Sequence, residues 1–128
     1  MTPEAERFLV KARECLRDAT VFLPLVPRVA GREAYLAAFH AAQALIHDRT
    51  GQVAKTHRGV RVGFLMLTRE SGTIDPELRE FLGRAYDLKS RSDYGTGEEA
   101  SVSAVTAAAA IAMAERFIQS IEAFLAGA

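Results

Sequence analysis

The residues of this chain best suited to chemistry form the run Arg91-Ser92-Asp93-Tyr94-Gly95, where a cation, a carboxylate and a phenol precede a glycine. Arg84, Asp87 and Arg91 fall on one helix face at i, i+3 and i+7. Asp87 precedes Arg91 by four residues, the favourable order for a surface ion pair worth about 0.3–0.5 kcal/mol. Asp93 lies near the expected end of a helix, where a carboxylate opposes the dipole, so it needs a specific partner. Arg91, a basic residue of the second helix such as Arg32, or a second subunit could supply it. In a binding site Arg91 would meet a phosphate, Asp93 would orient Arg91, and Tyr94 would stack on a base. A plainer reading has Asp93 and Tyr94 only locking the turn into the last helix.

A second polar cluster, Lys55-Thr56-His57-Arg58 with Arg61, opens the third helix. Free backbone N–H groups, the positive end of the dipole and the cationic side chains there would favour an anion. A capped helix start with solvated basic residues explains the same pattern. His40 and His47 share a face of the second helix but lie two turns apart, roughly 10 Å, too far for one metal ion. No histidine has a glutamate three residues before it, so the inward Glu-x-x-His pairs of bundle metal centres are missing. His40 reads as a polar residue at a helix–helix seam. Cys15 falls in an apolar stripe and reads as a buried thiol. The chain has no Gly-x-Ser-x-Gly elbow, and Gly95-Thr96-Gly97 lacks the strand before it and the lysine after it that a phosphate loop needs. Neither a metal nor a cofactor is indicated.

These residues must be positioned by helices. Thr2-Pro3-Glu4 starts the first, with Phe8, Ala12, Cys15, Leu16, Ala19, Phe22 and Leu23 as its buried stripe, and Pro24 and Pro27 end it. The second is expected from about Ala30 to Thr50, closed by Gly51. Tyr35, Phe39, Ala42 and Ile46 form one stripe, beside Ala34, Ala38, Ala41 and Leu45. The third runs from Thr56 to Ser71-Gly72, with Gly59 and Gly63 on one face where another backbone could come close. Asp75-Pro76-Glu77 starts the fourth, whose apolar face is Leu78, Phe81, Leu82, Ala85 and Leu88. The fifth is expected from about Glu99 to Leu125, with Val105, Ala109, Ala112, Phe117, Ile121 and Phe124 inward. No stretch alternates with period two. The expected fold is all-α, an antiparallel up-and-down bundle of four to five helices in one domain, 1–128.

Sixteen basic and sixteen acidic residues cancel, so no partner drawn by net charge is indicated, although local basic patches are compatible with this balance. The single cysteine fits a reducing compartment, and the charged N-terminus is unlike a signal peptide, so a cytoplasmic location is expected. The Ala-rich run Ala104–Ala114 reads as too short and too weakly apolar for a membrane span.

Three segments together resemble the HEPN domains, helical proteins named for higher eukaryotes and prokaryotes and for nucleotide binding. They are Glu33-Ala34-Tyr35-Leu36-Ala37-Ala38-Phe39-His40-Ala41-Ala42, Lys55-Thr56-His57-Arg58-Gly59-Val60 and Arg91-Ser92-Asp93-Tyr94-Gly95. The likeness covers nearly the whole chain and is greatest to the prokaryotic stand-alone branch. It implies a four-to-five-helix bundle, usually a homodimer, often encoded beside a minimal nucleotidyltransferase in toxin–antitoxin-like pairs. Many such domains are metal-independent ribonucleases using an Arg and a His separated by four to six residues. This chain departs there. Arg32 to His40 and Arg49 to His57 each have seven residues between. Aligned through Tyr94 to the Arg-x4-His-x-Tyr form, the two positions fall on Asp87 and Ser92, and serine cannot act as an acid or base near neutral pH.

Three functions fit the sequence. The preferred one is a dimeric subunit that binds a nucleotide or RNA, or docks on a nucleotidyltransferase, through Arg91, Asp93 and Tyr94 with His40, His57 and Arg58 contributing. The second is a divergent ribonuclease toxin with His40 or His57 as base and Arg91 stabilising the phosphate. The third is a non-catalytic structural or dimerisation subunit.

Overall fold

In a computed structural model describing residues 1–127, five α-helices lie in the expected order, with no strand among the described residues. They are α1 (Pro3–Phe22), α2 (Pro27–Thr50), α3 (His57–Leu67), α4 (Pro76–Tyr94) and α5 (Ala104–Leu125). Helix α2 is central and packs against each of the other four. Its small side chains explain this. Ala34, Ala37, Ala38, Ala41, Ala42 and Ala44 are fully buried, so α2 is enclosed around much of its circumference.

Three starts carry the expected caps. Thr2 Oγ1 accepts from the Ala5 N–H at 3.0 Å, Thr56 Oγ1 from Gly59 at 2.9 Å, and Asp75 Oδ1 from Glu77 at 3.1 Å. Two starts move. Helix α2 begins at Pro27 rather than Ala30, because proline at the first helical position loses no hydrogen bond. Helix α5 begins at Ala104 after a Ser103 cap, and Gly97–Ala100 forms a separate 3-10 turn. Helix α3 stops at Leu67, before the expected Ser71-Gly72.

The end of α2 holds the start of α1: the Thr2 N–H donates to Asp48 Oδ1 at 3.0 Å, and Thr2 Oγ1 pairs with His47 Nδ1 at 3.0 Å. Helix α5 is fastened through its C-terminal half. Arg13 donates to Glu115 Oε2 at 2.9 Å and Glu122 Oε1 at 2.5 Å, while the Phe117 ring packs 4.9 Å from Phe64 and 6.3 Å from Phe81.

The N-terminal half of α5 corrects the expected stripe. Ala107, Ala110 and Ala114 are buried there, whereas Val105, at 81% exposure, and Ala109 and Ala112 face outward. In a run of alanines, apolarity does not distinguish one face from another. Phe22 is likewise exposed rather than buried. The stretch Gly97–Leu125 also contains an 18-residue window of mean hydropathy 1.4, long and apolar enough by composition to cross a bilayer, with 28% of it buried. The Ala-rich run reaches that length only together with its neighbours in this stretch. The expected close backbone approach at Gly59 and Gly63 does not occur: a Cβ at 63 would meet the Ile46 side chain at 3.0 Å, and one at 59 the Thr56 hydroxyl at 2.9 Å.

Candidate functional site

The cap at Thr56 makes His57 the first residue of α3, at the seam where α2, α3 and α4 meet. Its imidazole stacks on Tyr86 of α4, with ring centroids 3.8 Å apart and planes 11° from parallel. On α2, the Tyr35 hydroxyl and His57 Nδ1 share a hydrogen bond of 2.6 Å. Tyr35 also lies 5.7 Å from Tyr86 and 5.9 Å from Phe39, centroid to centroid. These rings, with Leu36, Lys55 and Lys89, line a slot of about 270 Å³, near the small end of the roughly 300–1,000 Å³ typical of ligand pockets.

The slot is aromatic within and cationic at its rim. From Arg49 to Arg69 the sequence carries Lys55, Arg58 and Arg61 and no carboxylate. Burial lowers the His57 pKa, and the charges of Arg61 and Lys89 lower it further, so the imidazole is neutral at neutral pH. Burial raises the pKa of the Tyr35 phenol, and the neighbouring Tyr86 adds to the shift, so the hydroxyl stays protonated. The assembly presents planar rings to a planar group and cations to an anion.

The Arg91–Gly95 run is assembled differently from the expectation. Asp93 does not orient Arg91. Arg32 of α2 donates through Nε to Asp93 Oδ1 at 2.7 Å, and Lys89 Nζ donates to Oδ2 at 2.9 Å. The Lys89 bond, joined by the Arg32 bond and the charges of both, holds the Asp93 carboxyl below its ordinary pKa against an opposing desolvation that exceeds the Arg32 bond alone. Arg91 instead donates through Nε to Asp87 Oδ2 at 2.6 Å, the i, i+4 pair expected from spacing. Tyr94 is 73% exposed, with Lys89 Nζ 5.5 Å from its ring centroid. Gly95 is required by close packing: a Cβ there would fall 2.7 Å from the Arg91 carbonyl oxygen and 2.9 Å from the Ala100 nitrogen.

Lys89 joins the two regions, since its Nζ also lies 6.0 Å from the Tyr86 ring. His57 and, through Lys89, Asp93 and Tyr94 are thus brought together. His40 is not. Its Nδ1 pairs with Gln43 Oε1 at 2.7 Å, and Gln43 Nε2 donates to the Ala54 carbonyl at 2.7 Å. This chain of bonds staples α2 to the link before α3, a seam role, and burial lowers the His40 pKa. Arg58 is exposed and has no carboxylate partner among the described residues. Burial, followed by Glu33, pushes the Cys15 thiol up to about 12, which leaves it unreactive. Among the described residues no three His, Cys, Asp or Glu side chains group to hold a metal ion.

Tyr35, Tyr86 and Lys89 are the residues that sequence reasoning passed over, Tyr35 as a core position. The available signal was chemical: a phenol within an alanine and leucine stripe needs a polar partner when buried.

The family model described as "HEPN domain" matches residues 3–124. A "UPF0332 protein" of Archaeoglobus fulgidus is 41% identical over 68 residues, which is 53% of each chain. The chain thus matches about half the length of that curated relative. The crystal structure of TT1696 from Thermus thermophilus superposes with a TM-score of 0.74 at 24% identity, over 94% of this chain and 98% of that one. That likeness concerns the fold.

Proposed function

This chain belongs to the HEPN domain family, and on that premise we propose that it is a binding module for a nucleotide or the end of a single-stranded RNA. The observation that carries this reading is the His57–Tyr86 stack, 3.8 Å between centroids, in a slot rimmed by Lys55 and Lys89. A base placed against these rings gains stacking energy of about 1–3 kcal/mol, and the lysines neutralise its phosphate. When the fourth helix is matched through Tyr94, the positions of the family's usual catalytic pair fall on Asp87 and Ser92, which supports binding over cleavage. Arg91 is paired with Asp87 and Lys89 with Asp93, so what favours the His57 slot over the Arg91 run as the primary site is its stacked rings together with Lys55, which has no carboxylate partner among the described residues.

The test is binding of 5′-AMP followed by calorimetry. Tyr86→Leu, which keeps apolar volume but removes the aromatic face, is expected to weaken binding about tenfold or more. The reading fails if Tyr86→Leu and Lys89→Ala both leave affinity unchanged in folded protein. A divergent ribonuclease would cleave RNA in metal-free buffer and lose that cleavage in His57→Ala.

For partners, the family supports a homodimer and a minimal nucleotidyltransferase in a toxin–antitoxin-like pair. Val105, Ala109 and Ala112 on the outer side of α5 offer an apolar face for the second copy.

A further inference from the structure

Helices α3 and α4 touch only lightly, and between them lies a groove of about 550 Å³, roughly twice the volume of the slot. His57 lines both, so the groove continues directly from the slot. Arg61, Arg79 and Arg84 line the groove against a single carboxylate, Glu80. Two of these arginines are partly engaged. Arg79 donates through Nη2 to the Leu65 carbonyl at 2.9 Å and through Nε to Thr68 Oγ1 at 3.3 Å. Arg84 makes a long contact with the Glu77 carbonyl at 3.4 Å and a loose pair with Glu80 at 4.0 Å.

Arg61 differs. Its guanidinium has no carboxylate partner among the described residues. It lies across Gly83 of α4, where a Cβ would fall 3.0 Å from Arg61 Nε and 3.7 Å from Cζ. The missing side chain at 83 gives the guanidinium room to lie this close to α4. A planar fork with unclaimed donors matches two oxygens of a phosphate.

Resting on the reading of the slot as a nucleotide site, we propose that the α3–α4 groove is a phosphodiester subsite in which Arg61, seated over Gly83 and flanked by Arg84, receives the backbone phosphate next to the nucleotide held at His57–Tyr86. The preferred ligand is then a single-stranded oligonucleotide rather than a free nucleotide.

The test compares 5′-AMP with RNA and DNA hexamers of one sequence, by fluorescence anisotropy and calorimetry, on the full chain. Wild type is expected to bind a hexamer more tightly than 5′-AMP. Arg61→Ala is expected to weaken the hexamer about tenfold, to leave 5′-AMP within about twofold, and to reduce the salt slope by about 0.7. Gly83→Ala, favourable to a helix by propensity, is expected to shift Arg61 by a few tenths of an ångström and to weaken the hexamer by less than Arg61→Ala does, without lowering the melting temperature. The subsite holds if either hexamer shows the Arg61-dependent gain, and the better hexamer identifies RNA or DNA as its source. Equal affinity for hexamer and 5′-AMP, or an Arg61→Ala effect that is absent or equal for both ligands, overturns the subsite while Tyr86-dependent 5′-AMP binding preserves the slot. Absence of any nucleotide binding overturns both.

Discussion

Arg32 and Asp93, 61 positions apart, meet across 2.7 Å and tie α2 to the last turn of α4. Lys89 reaches the other carboxylate oxygen at 2.9 Å, and Arg32 also pairs with Glu33 at 3.2 Å. Asp93 therefore offsets its unfavourable place near a helix C-terminus with two cations, one local and one from a neighbouring helix. It also holds Lys89, whose Nζ lies 6.0 Å from the Tyr86 ring of the slot and 5.5 Å from that of exposed Tyr94.

Asp93→Asn is expected to lower stability by about 0.5–1 kcal/mol at low salt and by less at high salt, since the pairs are partly exposed. The Asp93 carboxyl has a depressed pKa, so its contribution is present above the ordinary carboxylate range and is lost as pH falls through the folded value. Chemical denaturation of wild type, Arg32→Ala, Asp93→Asn and the double variant measures the coupling. Strict additivity of the two single changes would refute it.

Stability should also fall in mild acid for a separate reason. His40 and His57 are harder to protonate in the folded chain than in the unfolded one, so the native state binds fewer protons below the ordinary histidine pKa. Melting temperature is expected to be flat between about pH 7 and 8 and to drop as pH falls below about 6.5. A His40→Asn/His57→Asn variant should show a shallower drop, and an unchanged profile would refute the assignment.

Gly95→Ala and Gly72→Ala make a contrasting pair. At 95 the added Cβ meets backbone atoms at 2.7 and 2.9 Å, whereas at 72 nothing lies within 4 Å. Gly95→Ala is expected to cost about 1–3 kcal/mol, and Gly72→Ala less than about 0.5 kcal/mol. Equal thermal shifts would contradict the packing of the 3-10 turn on α4.

The outward face of α5 gives an assembly prediction. If a second copy covers Val105, Ala109 and Ala112, Val105→Asp places a charge in an apolar contact. Sedimentation equilibrium should then show a dimer for wild type and a weakened one, by about tenfold or more, for the variant. A wild-type chain that stays monomeric at high concentration, or a dimer indifferent to Val105→Asp, would remove this face as the interface.

The helical architecture was legible in the sequence because its signals are local. Thr2, Thr56 and Asp75 cap wherever they stand before a helix, and Gly51 closes α2 through backbone geometry alone, whereas Pro27, expected to end α1, opens α2. The i, i+4 pair of Asp87 and Arg91 is equally local, set by one helical turn. The family followed from three segments in order, with no knowledge of how they pack. Tertiary structure decided what depends on helices meeting. Spacing left Asp93 three candidate partners, and only the approach of α2 to α4 selected Arg32. The buried side of α5 could not be read from alanines of equal apolarity; the rings of Phe64 and Phe81 around Phe117 set its rotation. The slot itself joins Tyr35, His57 and Tyr86 from three helices. Periodicity assigns each residue a face, but it cannot say which faces will share a seam.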